Sequence, residues 1–364
     1  MFESSNRVSH RHKPGWIVPL IGAVVALLVA GCDAASTPAT SQGPLNVRLG
    51  YFPNLTHAPA LVGIDKGYFQ RALGPTTHLT TETFKAGPAE IEALFGGAID
   101  IGFIGPGPAV NAYVKSHGDA LRIVAGAAAG GASLVVRPGA RIGTPAELRG
   151  KTLATPQLGN TQDVALRAYL LAIGLKTDPQ GGGDTRVVPT ANETTLQLFR
   201  DGKIDGAWVP EPWASRLEKD AAGKVLVDER TLWPDGQFAS TEVIVARTFV
   251  ERHPDTVKAF LTGEVSAIDW IDKNPVEAKA AVNDSLSART PTPLKASVLD
   301  LAWSRLAFTV DPLAATLRKE SGDAVKVGIV KSANINGIVD LRLVNQVLSA
   351  KGLQRLSAAG LGNE

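Results

Sequence analysis

Where the stretch ATPQLGNTQDVALRAYL (Ala154–Leu170) passes from strand-like to helix-like sequence, it sets Gly159, Asn160, Thr161 and Gln162 in succession, with no Lys or Arg before Arg167. Amide and hydroxyl side chains at a helix start stand beside backbone N–H groups that have no partner within the helix. The aligned peptide dipoles add a partial positive charge at the same place. Such a corner holds an oxyanion without a basic side chain. The residues also have a plainer use, because Asn160 or Thr161 can simply cap its own helix. Three further strand-to-helix corners are candidates: Tyr51-Phe52-Pro53-Asn54-Leu55-Thr56-His57, Gly105-Pro106-Gly107 and Pro210-Glu211-Pro212-Trp213. Four such corners on one face would form a seat for a small anion.

Tyr51, Phe52, Trp208 and Trp213 flank these corners. Aromatic side chains suit ligand pockets because they exclude water and stack. Trp208 falls inside an apolar strand, where core packing is its first reading. Glu211 is the odd member, since a carboxylate repels an anion. Facing the site, it would pair with an ammonium group on a zwitterionic ligand. Turned away, it is a favourable first-turn charge on its own helix. His57 reads as a helix-start donor or as a partly exposed side chain.

The elements that must position these corners alternate. Leu45–Phe52 reads as a strand, and a helix with Ala60, Leu61 and Ile64 on its buried face follows. A strand over 77–84, a helix over 87–98 stopping at Gly96-Gly97 and a strand over 100–105 come next. The pattern resumes with a strand at 151–155, a helix at 161–174, a strand at 185–190, a helix at 192–202 and a strand at 204–209. From Glu251 onward the chain reads as mostly helical. This grammar predicts a mainly parallel, doubly wound α/β architecture, whose ligands sit outside the carboxyl ends of the strands. Ala93–Ala109 (ALFGGAIDIGFIGPGPA) and Gln197–Ala214 (QLFRDGKIDGAWVPEPWA) share Leu-Phe, a glycine stop, Ile-Asp, a short strand, Pro-x-Pro and Ala. That internal similarity predicts two lobes of one topology delivering corners to a shared cleft.

The chain has 364 residues, 44% hydrophobic and 20% charged, enough for a large core and more than one domain. Arg7, Arg11 and Lys13 precede an apolar run from Trp16 to Ala30, then Gly31 and Cys32. This is a secretory leader, short of the roughly 20 apolar residues a membrane span needs. Leu28-Val29-Ala30-Gly31-Cys32 resembles a bacterial lipobox, which implies lipidation of Cys32. An uncleaved anchor helix and ordinary signal-peptidase cleavage are the alternatives. Asp33–Pro44, rich in Ala, Ser, Thr and Pro, reads as a flexible tether. Residues 1–31 hold three of the 37 Lys and Arg and one of the 35 Asp and Glu, so the remainder carries 34 of each and no formal net charge. Any anion preference must therefore be local, and no basic block points to nucleic acid. Cys32 is the only cysteine, which excludes disulfides and thiolate metal sites in the folded part. His57, His78, His117 and His253 stand far apart, so no metal or other cofactor is expected. The sequence holds no G-x-S-x-G and no phosphate-loop pattern, which leaves a secreted hydrolase or transferase without a motif.

Together with the lipobox, LGYFPNLTHAPALVGIDKGYF, AGPAEIEALFGGAIDIGFIGPGPA, TPQLGNTQDVALRAYL and IDGAWVPEPWASRL resemble the solute-binding proteins of the nitrate/sulfonate/taurine uptake family of ABC transporters. The pattern is nearest to the aliphatic sulfonate-binding members and covers Leu45 to Gly352. The resemblance implies a bilobed periplasmic-binding-protein-like fold of type II with a ligand cleft and a hinge. Lobe one would comprise 45–131 and 238–352, lobe two 132–237, with leader 1–31, tether 32–44 and tail 353–364. It implies cleft contacts at Asn54, Thr56 and His57, at Gly105 and Pro106, at Gly159, Asn160 and Thr161, and at Glu211 and Trp213. It implies a non-enzymatic monomer, held outside the cytoplasm by the Cys32 lipid, that hands a small organic anion to a permease and its ATPase. An aliphatic sulfonate or taurine is the expected ligand. Nitrate, bicarbonate and phosphonate are alternatives, as is a ligand sensor of the same fold. Pyrimidine-precursor synthases of related fold carry a cysteine-rich catalytic motif, which this chain lacks after Cys32.

Overall fold

The computed structural model describes residues 45–290 and 293–364. The leader, Cys32 and the tether lie outside the described residues. The first strands are β1 (Leu45–Tyr51), β2 (Thr77–Thr83), β3 (Ile101–Ile104) and β4 (Leu121–Gly130), with helices α1 (Ala58–Asp65), α2 (Tyr68–Leu73), α3 (Gly87–Phe95) and α4 (Pro106–Lys115) between them. β5 (Ala132–Val136), β6 (Thr152–Thr155), β7 (Arg186–Pro189), β8 (Gly206–Pro210) and β9 (Lys224–Asp228) follow, interleaved with α5 (Thr161–Ala172), α6 (Asn192–Arg200) and α7 (Trp213–Ala221). The chain then runs through β10 (Ala239–Ala246), α8 (Arg247–Arg252), α9 (Pro254–Lys273), α10 (Pro275–Arg289), α11 (Ala296–Ser304), β11 (Leu306–Phe308), α12 (Leu317–Lys326), β12 (Val339–Asp340), α13 (Arg342–Ala350) and β13 (Gly362–Asn363).

Two sheets result. One has the order β13-β12-β4-β10-β3-β1-β2, with β11 beside β4; the other has the order β7-β6-β8-β5-β9. Both are mixed, with six parallel and five antiparallel strand pairs among the described residues. β10 runs antiparallel to β3 and β4, and β5 runs antiparallel to β8 and β9. The parallel pairs β1–β2, β1–β3, β6–β7 and β6–β8 are the ones the alternating grammar anticipates. Within the mostly helical region after Glu251, α13 begins only at Arg342, and Val339 just before it pairs with Ile123 of β4. One large apolar core backs the first sheet, and two smaller clusters cover the faces of the second. The chain crosses between sheets at Gly130-Gly131, both at positive φ, a conformation glycine adopts without a Cβ penalty. It returns between Glu229 and Phe238.

The internal similarity has a structural counterpart. In α3–β3–α4, the amide of Asp100 donates to the Arg48 carbonyl of β1 at 2.8 Å, and the Arg48 amide donates back to Asp100 Oδ2 at 3.0 Å. In α6–β8–α7, Asp205 makes the same exchange with Thr152 of β6, at 2.8 and 3.0 Å. Each aspartate of the shared Ile-Asp pins the start of its strand to the neighbouring parallel strand. The corner at the far end of that strand is placed accordingly.

Candidate functional site

Among the described residues, six strand-to-helix corners line one cavity of about 340 Å³. Phe52, Pro53, Asn54, Thr56 and His57 follow β1, Thr83 ends β2 with Phe84 and Lys85 after it, and Gly105 follows β3. Pro156 and Asn160–Gln162 follow β6, Asn192 and Glu193 follow β7, and Pro210 and Trp213 close β8 and open α7. The volume lies at the small end of the range for ligand pockets, roughly 300–1,000 Å³. The starts of α1, α4, α5, α6 and α7 therefore gather at the cavity, and each brings the positive end of a helix dipole.

The Asn160 corner is held from behind. Asp163, buried on the first turn of α5, accepts the Thr155 hydroxyl at 2.8 Å and the Gly159 amide at 3.0 Å. It also accepts Nε of the fully buried Arg167 at 3.0 Å. Asn160 Oδ1 accepts the Gln162 amide at 3.2 Å, which is the capping role. That bond uses the acceptor of the side chain and leaves its NH2 group as a donor. Thr161 Oγ1 accepts the Gly107 amide at 3.1 Å, which leaves its own proton to donate. Capping and ligand donation are thus compatible on the same two side chains.

His57 is buried and neutral. Burial lowers its pKa to about 3, and its Nδ1 accepts the Phe52 amide at 3.3 Å. The proton of the neutral ring accordingly resides on Nε2, an uncharged donor. Its ring packs against Phe52 at 4.4 Å between centroids. Arg289, on the last turn of α10, also lines the cavity. Its Nη2 lies 2.6 Å from Asp65 Oδ1 and its Nε donates to the Tyr51 hydroxyl at 2.8 Å. Burial works against its charge, but Asp65 and Tyr51 hold its pKa above the ordinary arginine value. Three buried side-chain oxygens on lining residues, Asn54 Oδ1, Asn192 Oδ1 and Ser240 Oγ, have no protein partner. Buried polar atoms are ordinarily paired, so these mark polar positions for a ligand.

The structure brings Asn54, Thr56, His57, Gly105, Asn160, Thr161 and Trp213 to the cavity wall. Pro106, Gly159 and Glu211 are not on that wall. Gly159 uses its amide on Asp163 and its carbonyl on Asn111 Nδ2, 2.8 Å away. Glu211 turns away from the cavity. Its Oε1 lies 3.0 Å from Arg305 Nη1, and its Oε2 accepts the Ser215 amide at 3.0 Å. It stands just before the first turn of α7 and braces the start of that helix through the Ser215 amide. Burial raises its pKa, opposed by Ser215 and Arg305. Sequence reasoning missed Asn192 and Glu193, Thr83–Lys85, Ser240, Arg289 and Asp163. The first two groups occupy corners of the same kind as those singled out, so the alternating grammar contains their signal. Ser240, Arg289 and Asp163 belong to no such pattern. Among the described residues no group of three or more His, Cys, Asp or Glu is placed to hold a metal ion, and no helix is long and apolar enough to cross a membrane.

The model of the NMT1-like family matches residues 41–284. The taurine-binding periplasmic protein of Escherichia coli K12 is 30% identical over 246 residues, covering 67% of this chain and 72% of that protein. A putative aliphatic sulfonates-binding protein of the same organism is 26% identical over 309 residues, covering 82% and 90%. Among solved structures, the alkanesulfonate-binding protein SsuA of Xanthomonas axonopodis pv. citri bound to MOPS superposes with a TM-score of 0.66 at 21% identity, covering 78% of this chain and 92% of that one. At that identity the likeness speaks for the fold, which is the periplasmic-binding-protein fold.

Proposed function

The chain belongs to the NMT1-like family, and from that premise we infer that it is the extracytoplasmic solute-binding subunit of an ABC importer for a small organic anion. The convergence of five helix starts on one cavity carries this reading. Most of the donors there are uncharged: His57 is neutral, and Asn160 and Thr161 keep donors free; of the two cations on the wall, Arg289 is shared with Asp65 and Lys85 is exposed. A sulfonate is a permanent monoanion with three acceptor oxygens, and it suits such a donor set.

In this reading Asn54, Thr56, His57, Asn160, Thr161 and Trp213 touch the ligand. Gly105, Pro106 and Gly159 shape the corners, and Glu211 braces α7. The two sheets are the two lobes, with 45–131 and 238–352 against 132–237, and they close by hinge motion at the two crossovers. The chain works as a monomer. Cys32 carries a lipid that keeps it at the membrane beside its permease and ATPase. The relatives are named as binding proteins, which supports a receptor reading.

A thermal-shift screen against taurine, alkanesulfonates, phosphonates, nitrate and bicarbonate tests this. A ligand at ~100 times its dissociation constant adds about 2.7 kcal/mol to stability. A shift with sulfonates is the expected result. No shift with any of these anions would remove the anion-receptor reading.

A further inference from the structure

Glu320 on α12, Glu242 on β10 and Glu229 of the return crossover are each at most 3% exposed. Glu229 is answered by the indole N–H groups of Trp208 at 2.7 Å and Trp233 at 3.3 Å. The other two are not. Among the described residues, both oxygens of Glu242 and Oε1 of Glu320 have no hydrogen-bond partner. The lysines nearby are committed elsewhere, since Lys319 and Lys326 both hold Asp323, at 2.6 and 2.8 Å. A buried carboxylate without a partner is costly, and a like charge beside it adds to the cost. Burial first, then Glu229 and Asp323, push the Glu320 carboxyl up to about 8 against Lys319. Burial and then Glu320 push Glu242 up as well.

The position of Glu320 ties it to the contact between the two sheets' helices. Ala324 of α12 packs with Val164 of α5 and Val114 of α4, so α12 is wedged between a helix that follows the first sheet and one that follows the second. Glu320 Oε1 would stand 2.8 Å from a Cβ on Gly107, at the start of α4, where the Gly107 amide donates to Thr161 of α5. The elements around it bring no free charge. Tyr113 and Lys115 lie at the other end of α4, Asp163 and Arg167 of α5 are paired with each other, and Ala314–Thr316 has no titratable residue. Tyr169 of α5 shares with Glu229, Glu320 and Asp323 a cavity of about 400 Å³. If the sheets swing apart at the crossovers, α12 must leave α4 or α5. Either movement admits water to Glu320, whose carboxyl then returns toward its ordinary range and releases its proton.

We propose that Glu320 is a proton-linked latch: it is neutral while α12 is wedged between α4 and α5, and it ionises when they part, so the closed, ligand-bound form takes up a proton that the open form does not hold. The proposal rests on the anion-receptor reading and its hinge. The closed form binds more protons, so affinity for the ligand must fall as pH rises. The window runs from the ordinary glutamate value, about 4.3, to the closed-state value of about 8. His57 opposes this only below about pH 6.5, where an exposed imidazole titrates. Above that pH Glu320 sets the slope. A receptor outside the cytoplasm would thereby hold its ligand more tightly in acidic surroundings than in alkaline ones.

Isothermal titration of the full chain with ethanesulfonate from pH 6.5 to 8.5 tests it, because that anion has no group that titrates in this range. Affinity should fall at least tenfold across the series. Binding at pH 7 should take up close to one proton, read from the change in heat between buffers of different ionisation enthalpy. Glu320→Gln, which keeps the shape and cannot ionise, should vary less than threefold over the same range. If that variant does not fold, Glu320→Met, of similar length and apolar, must give the same level series. If ethanesulfonate binds the wild type with level affinity and no proton uptake, the latch is wrong and the receptor reading stands. If the variants keep the full slope, the proton sits elsewhere and the latch is wrong. If ethanesulfonate does not bind at pH 6.5, the sulfonate-receptor reading and the latch fail together.

Discussion

The amide of Gly107, on the first turn of α4, donates to Oγ1 of Thr161, on the first turn of α5, at 3.1 Å. The bond joins a helix start that follows the first sheet to one that follows the second. It depends on glycine for want of space, not for backbone freedom. A Cβ on residue 107 would stand 2.8 Å from Thr161 Cα, 2.9 Å from its nitrogen and 2.8 Å from Glu320 Oε1. Asn111 Nδ2, one turn further along α4, reaches the Gly159 carbonyl at 2.8 Å and doubles the connection.

Gly107→Ala should therefore hold the two helix starts apart. The expected result is at least a tenfold loss of ligand affinity, with about 1–3 kcal/mol lost in stability from overpacking. Titration calorimetry beside chemical denaturation reads both. Unchanged affinity would mean that the α4–α5 contact is not part of the ligand-bound state.

The double variant Asn160→Ala with Thr161→Ala removes one helix cap, at a cost of about 1 kcal/mol in stability. It also removes two donors from the cavity wall. Affinity for the anion should fall by a hundredfold or more, well beyond what the stability change explains. A loss below threefold would show that the corner caps α5 and does nothing else.

Asp163→Ala tests the support behind that corner. It strips Arg167 of its buried partner and leaves Thr155 and Gly159 unanswered. Breaking a fully buried ion pair costs about 3–5 kcal/mol. Urea denaturation should show a loss of that order. A loss under 1 kcal/mol would mean that the network tolerates rearrangement.

How much of this was legible beforehand depends on which physical signal each residue carries. The corners at Asn54–His57, Gly105 and Asn160–Thr161 announce themselves because Pro, Gly, Asn and Thr cluster where strand alternation gives way to helix periodicity. β4 and β10 carry no such signal. LRIVAGAAAG is too rich in small residues to advertise a strand, and it becomes one because its neighbours on both sides supply partners. Arg289 was invisible for a related reason. It sits 238 residues from the Tyr51 hydroxyl it binds, and only the tertiary fold brings α10 back to the first corner. Glu211 had two readings in the sequence, and its contact with Arg305, 94 residues away, carried no signal there.

Glu211→Gln should accordingly affect all ligands alike. The carboxylate faces Arg305 and the Ser215 amide, so its neutralisation weakens the brace on α7 without changing what the cavity presents. A stability loss of about 1–3 kcal/mol is expected, typical of a buried charge-assisted hydrogen bond. Taurine and ethanesulfonate should lose affinity by the same factor, within about threefold. A selective loss for taurine would place the carboxylate against an ammonium group after all.

Buried acids behind the α4–α5 contact set the pH dependence of stability. Glu320 on α12 has its pKa raised to about 8, first by burial and then by Glu229 and Asp323, with Lys319 opposing. Glu229, near the return crossover, is raised to about 7 by burial, against hydrogen bonds from Trp208 and Trp233. Glu242 on β10 is raised by burial and by Glu320. An unfolded glutamate titrates near 4.3, so between about pH 4.5 and 8 the native state holds protons that the unfolded state has released. Stability must then fall as pH rises through that window. His57 works in the other direction, since its native pKa near 3 lies below the unfolded value of about 6.5, and stability from that source rises only up to about pH 6.5. Above pH 6.5 the acids act alone, and the chain should lose on the order of a few kcal/mol by pH 8.5. Glu320→Gln, which cannot ionise, should make that decline shallower. Denaturation midpoints from pH 6.5 to 8.5 check the sign, and a rising or level curve in the wild type would show that these carboxyls are not held as neutral acids in the fold.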